Sequence, residues 1–200
     1  DARRVAEVLA LVGWTRVSRS RQADGSERVV LPDPGMALDF GGFGKEYAAD
    51  RAAIVLRDLG VRHGLVELAG DISVLGPHPD GSPWQVGVRH PRAPGLAIAS
   101  IALSAGGLAT SGDYERCMVV DGRRYAHILD ARTGWPVMDG LCSLSATAPS
   151  CLLAGAVSTL GMLRGSQAPA WLADCPHPWL AVGHDLRLSG SLLPELAEPG

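Results

Sequence analysis

Four cysteines stand in this 200-residue chain, at 117, 142, 151 and 175, and no two of them form a CxxC pair or a metal-ligand spacing. Buried thiols are the expected reading, and neither a disulfide framework nor a cysteine-held metal is indicated. A basic surplus is missing too. The formal net charge is −3 and the arginines fall singly or in pairs, which argues against a nucleic-acid or anionic-membrane surface and for small-molecule or protein ligands. No apolar run is long enough to cross a bilayer, and the opening DARRVAEVLALVG reads as an amphipathic helix without a signal peptide's unbroken apolar core. The chain starts without methionine, so a cut through a longer chain is expected, with any export signal upstream. HExxH and GxSxG are absent, which removes support for a catalytic zinc or a nucleophile-elbow hydrolase. GxGxxG, GxxxxGKS/T, internal repeats and low-complexity segments are absent as well.

What is present centres on residues 39–50, DFGGFGKEYAAD. The apolar run Met36, Ala37, Leu38 precedes it, and an amphipathic segment over 47–59 follows, so the stretch is expected to join a strand to a helix. Glycines at 41, 42 and 44 let backbone approach a bound group closely. The helix start offers unpaired N–H donors and positive dipole character, and Lys45 adds a mobile cation at the same mouth. An anion, foremost a phosphate, suits such a junction; the alternative is a glycine-rich turn kept for tight packing.

Around this centre, 2–12 reads as a helix, 14–18 and 28–31 as a hairpin-like strand pair, and 32–35 as a turn. Strands over 64–68 and 71–75 are interrupted at Ala69-Gly70, where a bulge or a close ligand approach is expected, with Asp71 at the break. A loop over 76–82 leads to strands over 84–88 and 97–103. Residues 114–120 and 124–129 form the clearest hairpin, turned by Asp121-Gly122. A strand over 141–148 passes through Pro149 into a helix over 150–163 that Gly165 ends. Strands over 179–182 and 186–188 complete the sheet, and 193–200 reads as a surface tail. The pattern predicts one α+β domain over 1–200, a mixed, largely antiparallel sheet with a few packed helices.

Three clusters carry the residue types of a reaction centre. The first is Asp39 to Lys45. The second runs from Ala109 through Thr110, Ser111, Gly112, Asp113 and Tyr114 and crosses the hairpin to Tyr125, His127, Asp130, Thr133 and Gly134; the third is Ser158-Thr159. His127 follows Tyr125 by two, so both face one side of a strand, and the carboxylate of Asp130 just beyond can orient the ring or raise its basicity. A plain surface histidine is the alternative. The other five histidines occupy loop-like positions and suggest no chemistry.

DFGGFGKEYAADRAA, LVELAGDISVLG, ATSGDYERCMVVDGRRYAHILDARTGWPV and APSCLLAGAVST, in that order, resemble the FAD:protein FMN transferase family, also called ApbE-like, over most of residues 1–165. The resemblance implies an α+β protein that binds FAD and Mg²⁺, cleaves the pyrophosphate, releases AMP and attaches FMN through a phosphoester to a threonine of an acceptor flavoprotein, typically a subunit of a membrane electron-transfer complex. It further implies that Asp39 and Lys45 contact FAD, that Ile128 packs on the flavin nucleotide, and that Thr110, Ser111 and Asp113 form a polar loop near the site. His127 would assist transfer. The Gly42 carbonyl and the Thr159 hydroxyl, with Ser158 beside it, would be ligands of Mg²⁺, a hard cation that takes oxygen donors. Many members work in the bacterial cell envelope, although these residues record no address.

Two departures from the pattern stand out. Four residues before the threonine the family has an aspartate, on the same helix face, and this chain has Gly155. Loss of that carboxylate implies weaker metal binding, with water in its place. The family's upstream portion has no counterpart before Asp1, which implies a C-terminal portion of a longer chain. Phe40, Phe43, Gly44 and Glu46 replace the usual aliphatic, alanine and glycine residues and are expected to alter packing more than chemistry. Alternatives to FMN transfer are a non-catalytic flavin-binding module and a metal-dependent FAD pyrophosphatase.

Overall fold

The computed structural model describes residues 1–193; of the expected tail, 193–200, all but Leu193 lies outside them. The chain forms two compact units, one from residues 1–40 and 129–135, the other from 41–128 and from 136 onward. In the first, helix α1 (Ala2–Leu9) starts where the Asp1 side chain accepts the Arg3 N–H at 3.0 Å. Residues 14–16 make a single 3₁₀ turn, so the strand expected over 14–18 begins only at Ser18. Strands β1 (Ser18–Arg21) and β2 (Glu27–Val30) then pair antiparallel. Residues 36–38 are irregular, contrary to the expected central strand. Three apolar residues are too few to enter a ladder here, and they line an apolar cavity with Val8, Leu11 and Trp14 instead.

The second unit is built on a six-stranded antiparallel sheet. Helix α2 (Gly44–Asp58) precedes strands β3 (Gly64–Leu68) and β4 (Asp71–Gly76). Leu68 pairs with Asp71, so Ala69 and Gly70 are the two residues of a hairpin turn and not a bulge. Both have positive φ, 52° and 93°, the geometry of a type I′ turn. Strands β5 (Trp84–Arg89) and β6 (Ala97–Leu103) form a separate hairpin, and β7 (Gly106–Gly112) follows. This places Thr110 and Ser111 on a strand in the middle of the sheet, where a polar loop was expected. Strands β8 (Cys117–Val120) and β9 (Arg123–Ala126) turn at Asp121-Gly122, as the sequence predicts.

Strand β10 (Ser143–Ala148), helices α3 (Cys151–Leu163) and α4 (Ala168–Ala173), and strands β11 (Trp179–Val182) and β12 (Leu188–Gly190) complete the chain. The sheet order is β12-β11-β10-β7-β4-β3. Every paired strand runs antiparallel, which bears out the α+β class. Side-chain alternation separates two faces. Ile72, Val74, Leu108 and Leu180 pack with Val88, Ile101 and Leu103 of the β5/β6 hairpin. Asp71, Ser73, Gly107 and Ser111 point the other way, toward α2 and α3.

Candidate active site

Gly107 explains why a helix can lie so close to this second face. A Cβ there would stand 2.2 Å from the backbone nitrogen of Cys151, so only glycine admits the start of α3. Asp50 of α2 secures the same helix end, accepting the Cys151 and Leu152 N–H groups at 2.9 Å each and the Ser73 hydroxyl at 2.9 Å. One turn earlier on α2, Glu46 lies against Gly155, one turn later on α3. The helices thus pass one another in opposite directions. One further turn of each leads to the start of α2 and to Thr159.

On that register a polar group assembles from four separate stretches. The ammonium of Lys45, the chain's only lysine, sits 2.6 Å from Asp71, whose other oxygen accepts the Thr110 N–H at 3.3 Å. Asp71 is 2% exposed, whereas the Lys45 side chain keeps 38% of its surface open and can reach a further anion. The Ser111 hydroxyl lies 2.9 Å from that of Ser158 and 3.1 Å from that of Thr159. Glu46 is 6% exposed, and its Oε2 has no hydrogen-bond partner. Burial pushes its carboxyl above the usual carboxylate range; the Asp71 charge adds to this and Lys45 opposes it. A buried carboxylate oxygen without a donor, against Gly155 one helical turn before Thr159, and the Ser111, Ser158 and Thr159 hydroxyls are oxygen donors of the kind a hard divalent cation takes.

The remaining predicted residues divide by position. Thr110 faces the opposite side of the sheet, its hydroxyl 2.7 Å from Ser145, and does not join the Ser111–Thr159 group. Gly42 lies in the turn before α2, and Phe43 at the helix N-cap supplies no side-chain cap. Asp39 belongs to the first unit and lines its apolar cavity. His127 is exposed just past the end of β9, and its Nδ1 lies 3.1 Å from the Arg116 carbonyl. A carbonyl only accepts, so Nδ1 carries the proton and Nε2 is the basic nitrogen. Asp130, expected to orient the ring, instead binds the Arg132 guanidinium at 2.8 Å.

Ile128 lines a cavity of about 310 Å³ with Leu141 and Met162 on its apolar side and Arg92, Arg123 and Arg124 on its cationic side. Met162, which lines it, sits on α3 three residues beyond Thr159. Asp113 also lines it and holds Arg92 through two contacts of 2.7 Å. Arg92 reaches the Cys142 sulfur at 2.9 Å, and His184 Nδ1 lies 3.2 Å from the same sulfur. Asp113, Cys142 and His184 are the one trio among the described residues with metal-like spacing. The Arg92 cation already occupies two of its members.

Sequence reasoning gave no role to Asp50, Asp71, Arg92 or Glu46. Asp71 alone had a local signal, its place after the tight Ala69-Gly70 turn; the others show their partners only in three dimensions.

Comparison with known proteins gives a consistent result. The profile of the ApbE family matches residues 1–181. A FAD:protein FMN transferase of Klebsiella pneumoniae is 32% identical over 189 residues, covering 92% of this chain and 58% of its own length. Another, from Salmonella typhimurium, is 33% identical over 138 residues, 68% of this chain and 39% of its own. The crystal structure of the ApbE protein of Thermotoga maritima superposes with a TM-score of 0.85 at 34% identity, over 96% of this chain and 62% of that one. The chain therefore spans less than two thirds of the length of these relatives.

Proposed function

This chain belongs to the ApbE family, and from that premise we propose that it carries the FMN-transfer site of a FAD:protein FMN transferase. The observation that carries the reading is the meeting of Lys45, Asp71, Ser111 and Thr159, drawn from α2, β4, β7 and α3, on one polar patch between helix and sheet. The reaction moves a phosphoryl-linked FMN. A threonine hydroxyl of the acceptor attacks the FMN phosphorus, the bond to the bridging oxygen breaks, and AMP leaves with that electron pair.

Lys45 is suited to bind the non-bridging oxygens of FAD, since its ammonium is held on buried Asp71 yet remains open on one side. The first turn of α2 presents its backbone N–H groups at the same mouth. The cavity beside Ile128 and Leu141 offers an apolar wall for a planar ring, with Arg123 and Arg124 as anion partners at its edge. His127 Nε2 is the basic nitrogen that would take the acceptor hydroxyl's proton, its ring orientation fixed by the Arg116 carbonyl. Thr159, Ser158, Ser111 and the Gly42 carbonyl are the oxygen donors that would hold Mg²⁺. When bound, the ion would offset charge on the phosphate oxygens. The acceptor, expected to be a flavoprotein subunit of a membrane electron-transfer complex, would bring its threonine to the exposed His127 side.

Incubating the chain with FAD, MgCl₂ and a threonine-containing acceptor peptide tests this directly. A mass gain of one FMN on the peptide with one AMP released is the expected result. Free FMN and AMP with an unmodified peptide would instead identify a pyrophosphatase, and FAD binding without any product a non-catalytic module.

A further inference from the structure

Two departures from the family pattern meet at one point in space. The resemblance sets Gly155 of this chain against an aspartate and Glu46 against a glycine. A Cβ on Gly155 would lie 2.7 Å from Glu46 Cγ and 2.9 Å from its Oε1. The Glu46 side chain therefore fills the space into which an aspartate at 155 would project. The position is one turn before Thr159 on α3, and residues four apart share a helix face.

Resting on the proposed transferase reading, we infer that Glu46 is the carboxylate ligand of this chain's divalent-cation site, delivered from α2 in place of an aspartate on α3, and that Gly155 is glycine because Glu46 needs the room. Glu46 is an expensive residue in this place without an ion. It is 6% exposed, with Oε2 unpartnered, and its acidic neighbour Asp71 lies within hydrogen-bonding reach of its carboxyl, a contact between two acids that burial alone does not favour. A side chain kept only for packing would cost less as glutamine, leucine or alanine. A buried oxygen held without a donor, next to the Thr159 turn, is what a cation site requires before the ion arrives. Asp71 is committed to Lys45 and the Thr110 N–H, which leaves Glu46 as the acidic side chain available among these residues. The carboxylate missing from α3 is thereby restored from the facing helix, and water need not replace it.

The test is Mn²⁺ binding to the chain in the presence of FAD, followed by electron paramagnetic resonance, together with thermal melting of the metal-free protein. Glu46→Gln is expected to weaken Mn²⁺ binding by roughly tenfold or more, because ligand charge tunes such affinities, while leaving the metal-free melting temperature unchanged or raised. The double variant Glu46→Gly with Gly155→Asp, which returns the carboxylate to α3, is expected to bind Mn²⁺ more tightly than Glu46→Gly alone. Unchanged Mn²⁺ affinity in Glu46→Gln, or a lower melting temperature with that affinity intact, would overturn the assignment and leave the transferase reading standing. A wild-type chain that binds FAD but no Mn²⁺ would overturn both.

Discussion

Strand β4 puts Ile72 and Val74 on one side of the sheet and Asp71 and Ser73 on the other, and the two sides do different work. The hairpin side is hydrocarbon against hydrocarbon, with Ile72 paired to Leu108 and both covered by Val88, Ile101 and Leu103. There the driving force is burial, about 25 cal/mol for each Å² removed from water. Between α2, α3 and the same strands the chain instead uses small residues and charges. Gly107 and Gly155 make room, Asp50 ties the start of α3, and Lys45, Glu46 and Asp71 sit half or fully enclosed. That side holds groups whose burial costs stability without a packing return, which is the cost the proposed transfer site would carry.

The comparison breaks most severely at Gly107. Gly107→Ala would drive its Cβ into the Cys151 backbone, and we expect a loss of about 3 kcal/mol or more in urea unfolding, together with loss of FAD binding as α3 shifts. Leu108→Ala, one residue away on the hairpin side, should cost about 3 kcal/mol by the same measurement and leave the FAD dissociation constant little changed. Equal damage to FAD binding from both substitutions would erase the distinction between the faces. Lys45→Ala reverses the pattern. It should destabilise by only about 1 kcal/mol, given a half-open ion pair, and weaken FAD binding by roughly tenfold in fluorescence titration.

The smallest effect concerns thiols. Burial pushes the Cys142 and Cys151 thiols above their ordinary value, with Asp113 adding to the first and Asp71 to the second. Raised values keep both protonated at pH 8, where the thiolate is the reactive form. Iodoacetamide treatment of the native chain at that pH should leave both unmodified in peptide mass spectra, and modification should appear once urea unfolds the chain. Rapid native labelling of Cys142 would contradict the enclosure of the Arg92–Asp113 pair beside it.

Much of the fold was legible because its strands and helices carry strong local signals. Asp121-Gly122 predicts its own hairpin, the 97–103 strand has the observed bounds, and α3 follows Pro149 with Ser150 as its cap. Strand β7 was not legible. Gly106 and Gly107 fell within no expected element and Gly112 within an expected polar loop, yet a Cβ at each would strike the Ala148 carbonyl, the α3 backbone or the Tyr114 ring. These glycines record close packing by other parts of the chain, which no local window contains. The opposite error fell on residues 36–38, apolar enough for a strand but facing a cavity beside α1. Of the candidate site, motif order pointed to Lys45, Ser111, Ser158 and Thr159. Glu46 read as a packing change, because its meaning depends on Gly155, more than a hundred residues away.

A crystal of the chain grown with FAD and Mn²⁺, examined at the manganese absorption edge, bears most directly on the claim that the polar side of the sheet is a phosphoryl-transfer site. One anomalous peak is expected within bonding distance of the Glu46 carboxylate and the Thr159 hydroxyl, next to the phosphates of FAD. A peak at Asp113, Cys142 and His184 instead, or FAD phosphates bound away from Lys45, would contradict it.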